Sequence, residues 1–539
     1  MRKLICFIII GILVTGCATG NRKDTQALRS LLRLKDFKKA KELVDGKKFI
    51  DEENSKLLQL LERATVYHLN GHYYQSLKAF DEAKEVSDKL FTVSISKKIQ
   101  SAVSNDNSDN YYGEKYERSM IRFYLSLNHF LLYMTGEYEE HSIKEYVVKK
   151  TNNKKKKEEK IAEVKVIPAK KLSAKERRFH LMGARSVLLE WNSLLDNYKS
   201  TTGGVVTYKD DLLAKVFGAF IHEQFRTRND DRIALDLYKE AKNVLLKNFN
   251  ILETYNEKAE KFKKDFDKLY KLPLKKVKDE YIKRTAYSKH LLTYLNEKIK
   301  ELKRRKKDNV LILIEDDLIT EKKETKINIP LPVATVSVVA GGKLSFSAFV
   351  GHMLSISTGR PLNIYFEVPE IPYEPIQNHY TVMVKDKSGK VVKEEKAAIV
   401  NPLGDLAHLT LDEKKSSIYA KTGARVATKH VAALVAAYAI YKSQAKKSEF
   451  FGLAAATLSY SAANAGIQAS EKADLRFWSS LPFNYQISSM KLDQGDYDLF
   501  IKTGGIEKKL SSFKVQSSKS SVIIRERVIN SQSTKSIKK

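Results

Sequence analysis

Only two cysteines occur in the 539 residues, Cys6 and Cys17. That scarcity excludes a disulfide framework and any cysteine-built zinc site. Long apolar runs are missing too. The longest, over residues 4–13, falls well short of the roughly 20 residues that a membrane-spanning helix requires. Catalytic signatures are equally scarce, with no HExxH, no GxSxG elbow and no EF-hand loop. Gly341-Gly342-Lys343 fails as a phosphate loop, because Ser337 replaces the first glycine and Leu344 the magnesium-binding hydroxyl. The acidic pairs Asp210-Asp211 and Asp230-Asp231 and the trio Glu315-Asp316-Asp317 are expected to cap helices or face solvent. His222 and His408 have no spaced partner that would make a triad or a metal set. Neither a cofactor nor a metal site is expected, nor is an enzyme.

What is present begins at the first residues. Arg2 and Lys3 are followed by the apolar stretch 4–13 and then by Val14-Thr15-Gly16-Cys17. A basic start, a short apolar core and small residues ending in cysteine read as a lipoprotein signal. On that reading residues 1–16 are removed, Cys17 is acylated, and residues 17–23 link the lipid to the body. The mature chain then keeps no free thiol. Ala18 lacks the aspartate associated with inner-membrane retention in some bacteria, so the periplasmic face of the outer membrane is the expected address.

Lysine and arginine total 96 against 65 acidic residues, a formal charge of +31. In an exported chain such an excess meets anionic lipid, polysaccharide or cell wall rather than nucleic acid. The excess is mostly lysine, which suits diffuse attraction better than bidentate phosphate recognition. Lysines on solvated faces give the same composition without any partner.

Residues 24–308 follow helical spacing with a recurring unit. Ala64 and Tyr67 precede a turn at Gly71, Tyr73 packs behind it, and Ser76, Phe80 and Ala83 share one helical face. Ala234, Tyr238 and Ala241 repeat the four-then-three spacing. Small and large residues in this order fit tetratricopeptide-like hairpins, which stack because none buries its apolar face alone. An irregular helical bundle uses similar spacing. Thr135-Gly136-Glu137-Tyr138 reads as a degenerate copy of the turn, Pro273 as a break in a charged helical run, and residues 149–171 as a lysine-rich flexible insertion.

After residue 309 the period changes. Val310-Leu311-Ile312-Leu313-Ile314 reads as a buried strand, and further strands are expected at 343–350, 363–368, 379–384, 483–490, 496–502, 512–515 and 521–528. The fold class expected is α+β: a helical superhelix over 24–308, then a β-sandwich-like domain over 309–529. An alanine-rich helical hairpin is inserted at 420–470, and 530–539 is a disordered basic tail. The hairpin's apolar runs suit close helix packing rather than a membrane span.

One segment stands apart, Ala473-Asp474-Leu475-Arg476-Phe477-Trp478-Ser479-Ser480-Leu481-Pro482. Run extended, it puts Asp474, Arg476 and Trp478 on one face. They form either a corner that locks the hairpin to the sandwich or a recognition surface for a polar partner. With the signal at Cys17, residues 233–241, the strand ending at Glu315 and residues 420–429, this motif resembles a family of bacterial lipoproteins of unassigned role. The family is characterised by tetratricopeptide-like repeats and a C-terminal β domain. The chain departs from the family after Glu315, where Asp316, Asp317 and Leu318 replace an expected glycine and proline. The resemblance implies a place near peptidoglycan synthesis, because genes of the family lie beside those of lipoproteins that activate penicillin-binding proteins. The expected function is a membrane-anchored, non-enzymatic scaffold for an envelope protein. The alternatives are binding of an anionic polymer or lipid by the basic helical half and, further off, an envelope hydrolase.

Overall fold

A computed structural model describes residues 20–97, 109–150, 158–200, 208, 210–248, 279–331, 349–350, 362–517 and 520–529. They form a mixed α+β fold. The helical part runs through α1 (Gly20–Arg33), α2 (Phe37–Asp45), α3 (Lys56–Leu69), α4 (Tyr73–Lys97), α5 (Lys115–Thr135), α6 (Ala174–Ser200), α7 (Leu212–Phe225), α8 (Arg228–Asn248) and α9 (Asp279–Lys303). Consecutive helices pack on one another.

The small-large-small residues lie where these helices meet. Gly71 takes φ 78° between α3 and α4, in the left-handed region that glycine tolerates. Ala64, Ser76, Phe80 and Ala83 are fully buried, as are Ala234, Tyr238 and Ala241 on α8. The hydroxyl of Ser76 donates to the Ala64 carbonyl at 2.8 Å, while Tyr73 stays partly covered. Tyr67 is half-exposed and turns its hydroxyl to Asp45 at 2.5 Å. Helix α5 is buried on nearly every side from Tyr116 to Leu132, its polar Glu117, Ser119, Ser126 and Asn128 included, with only His129 partly exposed. A capping box of Glu114 and Glu117 starts it, and Gly136 at φ 70° ends it.

Two four-stranded sheets follow. The first has the order β10 (Ala398–Asn401), β11 (Asn484–Met490), β5 (Val310–Asp316), β14 (Val522–Val528), with β14 parallel to β5. The second is antiparallel, in the order β13 (Ile506–Val515), β12 (Gly495–Thr503), β8 (Thr381–Asp386), β9 (Val391–Lys396). All of β5 is buried. Val310, Ile312 and Ile314 join the core shared with the second sheet, and Leu311 and Leu313 join the helical core. A strand covered on both faces needs the unbroken apolar run seen in the sequence. One hydrophobic core therefore runs from α1 into the first sheet.

A separate antiparallel ribbon, β6 (Lys323–Leu331) with β7 (Leu362–Glu370), lies along the hairpin of α10 (Leu403–Gln444) and α11 (Glu449–Ser470). Phe366 and Val368 share a core with Val426, Leu434, Ala456 and Tyr460. No described helix is long and apolar enough to cross a membrane.

Several expectations need correcting. The stretch 149–171 is not a loose insertion in its described part: β2 (His141–Lys150) and β3 (Glu158–Ile167) pair antiparallel, and β4 (Lys170–Lys171) pairs with β1 (Glu137–Tyr138). The backbone register sets Lys149 opposite Glu159 and Lys150 opposite Glu158. Residues 137–138 belong to a strand rather than to a repeated helical turn. Within the expected linker 17–23, residues from Gly20 onward are already helical. The hairpin begins at Leu403, not at 420, and β6, β9 and β10 were not anticipated. Of the strand expected at 343–350, only 349–350 is described, and it is helical. Glu315 and Asp316 are buried at a strand end rather than solvated. Cys17, the signal 1–16, the glycine pair at 341–342, Pro273 and the tail 530–539 lie outside the described residues.

Candidate functional site

The segment 473–482 leaves α11 without regular structure and runs between the helices and the first sheet. Extended backbone in such a place must find partners for every N–H and C=O. Side chains from the far end of the chain supply them. Glu117 on α5 accepts the Trp478 N–H at 3.0 Å, and Glu62 on α3 accepts those of Ser479 and Ser480 at 2.6 and 3.2 Å. Arg29 on α1 donates to the Ser479 carbonyl at 2.8 Å, Arg527 on β14 to that of Ser480 at 2.8 Å, and Lys322 to that of Arg476 at 2.9 Å.

The motif's own side chains do the same. Asp474 and Arg476 form a two-point pair, with Nε to Oδ1 at 2.9 Å and Nη2 to Oδ2 at 2.7 Å. The guanidinium then reaches the Asp109 carbonyl at 3.0 Å and the Ser55 hydroxyl at 3.3 Å. Trp478 is fully buried, its ring beside Phe80 and Tyr124. Its indole N–H donates to Thr65 at 2.9 Å. Asp474 and Arg476 are thus neighbours as expected, and the corner joins the hairpin and sheet to the N-terminal helices rather than only to each other. Arg476 and Trp478 are covered, so neither presents a free recognition surface.

A charged core continues inward. Glu315 on β5 accepts from Arg527 at 3.0 Å, both side chains buried. His68 lies 3.9 Å from Glu315, but burial and the nearby Arg525 hold its pKa well below the ordinary value. It is therefore a neutral ring bonded to Asn128 at 2.6 Å rather than an ionic partner. Burial pushes the Glu62 and Glu117 carboxyls up, and the hydrogen bonds they accept pull them back. Glu62 and Glu117 join the helices to the segment 473–482, and Arg527 joins that segment to Glu315 of the sheet.

Sequence reasoning missed Glu62, Glu117, Arg29 and Arg527. The available signal was position: Glu62 shares a helical face with Leu58, Thr65 and Leu69, all buried. A carboxylate on such a face needs a partner from elsewhere. His222 bonds Asp230 at 2.8 Å and His408 the Ile371 carbonyl at 2.6 Å, as structural histidines do. Asp211 caps α7, as adjacent acids were expected to.

Two cavities adjoin this region. One of about 150 Å³ is lined by Glu114, Lys322, Lys414, Arg425, Lys472 and Asp474 among others. Another of about 550 Å³ is lined by Tyr133, Arg177, Lys514, Ser521 and Arg525 among others. Among the described residues no group of three His, Cys, Asp or Glu side chains is placed to hold a metal ion. Comparison with family models, with curated proteins and with solved structures finds no match.

Proposed function

We propose that this chain is a cell-envelope lipoprotein, acylated at Cys17 and held on the periplasmic face of the outer membrane. There it acts as a non-enzymatic scaffold for another envelope protein. The helical layer is read as tetratricopeptide-like and the paired sheets as a β-sandwich. The peptidoglycan-synthesis machinery is the partner class that the family resemblance suggests.

The observation that carries the binding role lies on α6. Phe179, Met182 and Leu189 are exposed by 65, 46 and 58 %. Their spacing of three and then seven residues aligns them on one helical face. Large apolar side chains grouped on one face mark a contact surface more often than singly scattered ones do. Beneath them the helix is anchored by Trp191, whose indole donates to Ser119. A photo-reactive residue at position 182, with Cys17 intact, tests the reading: one specific envelope protein should be captured in cells. Capture of none at 179, 182 and 189 alike would remove the basis for it.

A second reading, binding of an anionic polymer or headgroup, is supported by the larger cavity, where Arg177, Lys514 and Arg525 meet serine hydroxyls. Such binding weakens steeply with salt, whereas a packed apolar interface does not. Titrating the affinity for cell-wall polymer from low to high salt separates the two.

A further inference from the structure

The α10–α11 hairpin keeps an apolar surface that the rest of the described chain does not cover. Phe450 and Phe451 at its tip are exposed by 75 and 70 %, Leu458 by 73 % and Val435 by 47 %. On α11, Phe451, Leu458 and the exposed Ala454, Ala462 and Ala465 share one helical face. The tip is built tightly: a Cβ on Gly452 would stand 2.8 Å from the Ala445 backbone nitrogen, so α11 starts hard against the end of α10. The two phenylalanines are thereby held outward instead of folding back. Lys442, Lys446 and Lys447, all exposed, lie within nine residues of them in the chain, against one acid, Glu449.

Exposed aromatic rings with exposed lysines close by in the chain, on a helix pair not apolar enough to span, make an interfacial contact for anionic lipid. The position of the anchor agrees. Only two residues separate Cys17 from Gly20 in sequence, so an anchor at Cys17 would tether the first helix on a short link. Arg22 of that helix pairs with Glu324 on β6, beside the hairpin's base. From Gly423, which faces Phe366 on β7, to Gln444 the hairpin extends for about 30 Å. An arm of that length next to a lipid anchor meets the bilayer over its length if its apolar side faces it.

We propose that the tip and outer face of this hairpin lie on the anionic surface of the membrane that holds Cys17, without crossing it. The orientation rests on the anchor reading; the lipid contact itself is tested without it. The mature full-length chain carrying Cys17→Ala, sedimented with vesicles of phosphatidylglycerol and phosphatidylethanolamine, should bind, and should bind phosphatidylcholine vesicles far less. Phe450→Ser with Phe451→Ser should lower the partition coefficient by roughly ten-fold or more. Both side chains are exposed, so the variant should melt as the parent does. A second readout uses the absence of other thiols: Phe451→Cys in the Cys17→Ala chain, carrying an environment-sensitive dye, should shift to the blue with anionic vesicles. Unchanged emission together with unchanged sedimentation would overturn the proposal. So would a Phe450- and Phe451-dependent dimer in the absence of lipid, which would assign the face to a second copy. Acylation of Cys17, read by mass spectrometry, fails or succeeds separately.

Discussion

The indole of Trp478 donates to the hydroxyl of Thr65 at 2.9 Å, across 413 residues of chain, with both side chains removed from water. That bond sits at the centre of the corner joining the helices to the first sheet. Trp478→Ala should destabilise the folded chain by about 3–5 kcal/mol, mainly the cost of a large cavity, since the Thr65 hydroxyl still donates to the Leu61 carbonyl. Urea unfolding measures it. A loss under 1 kcal/mol would show that the corner is not a structural lock.

Glu62 tests the same corner through its backbone. Its carboxylate is the acceptor for two buried N–H groups, and glutamine offers only one oxygen. Glu62→Gln should cost about 1–3 kcal/mol. Hydrogen exchange should localise the effect, with faster exchange at Ser479 and Ser480 than elsewhere. Uniform change across the chain would contradict it.

Asp211 gives a pH signature. Burial raises its pKa from 3.8 to about 7, although Leu213 and Ala214 donate to it. A carboxyl whose folded pKa is raised contributes stability that is full below the unfolded value and is lost as pH rises through the folded one. Asparagine keeps the cap without the charge. The melting temperature of Asp211→Asn should therefore gain on the parent between about pH 4 and 7 and level off above that, by the equivalent of about 1–4 kcal/mol. A gap independent of pH would place the carboxylate in a wetter site than the structure shows.

Gly404 is required by close approach. A Cβ there would stand 2.0 Å from the Phe483 ring, while the Gly404 N–H donates to the Phe483 carbonyl at 2.8 Å. Gly404→Ala should cost about 1–3 kcal/mol. Adding Phe483→Leu should restore part of that in thermal melts, since the shorter side chain vacates the ring edge.

The fold was legible where local pattern and burial coincide. Val310 to Ile314 reads as a buried strand because both of its faces are covered, and Ser76, Phe80 and Ala83 read as a packed face because they are one. Reading failed where long-range pairing decides. The ribbon around Lys149 and Lys150 looks disordered by composition, and only its backbone pairing with the strand from Glu158 shows it to be ordered. Strand β9, Val391-Val392-Lys393-Glu394-Glu395-Lys396, is mostly exposed at a sheet edge and so has little apolar signal. The motif 473–482 stood out in sequence, but its acceptors Glu62 and Glu117 lie some 360 to 420 residues away. Nothing local points to them. Because the helices and the first sheet share one core, removing the helices would expose the sheet's inner face, so point substitutions on α6 are the sounder probe.

The proposal that this chain holds a protein partner in the envelope is tested most directly by in-cell photo-crosslinking from position 182 of α6. The expected result is a single envelope protein captured from the membrane fraction and lost on Phe179→Ser with Leu189→Ser, while the chain's abundance is unchanged. Capture of no envelope protein, or capture unaffected by those two substitutions, would contradict it.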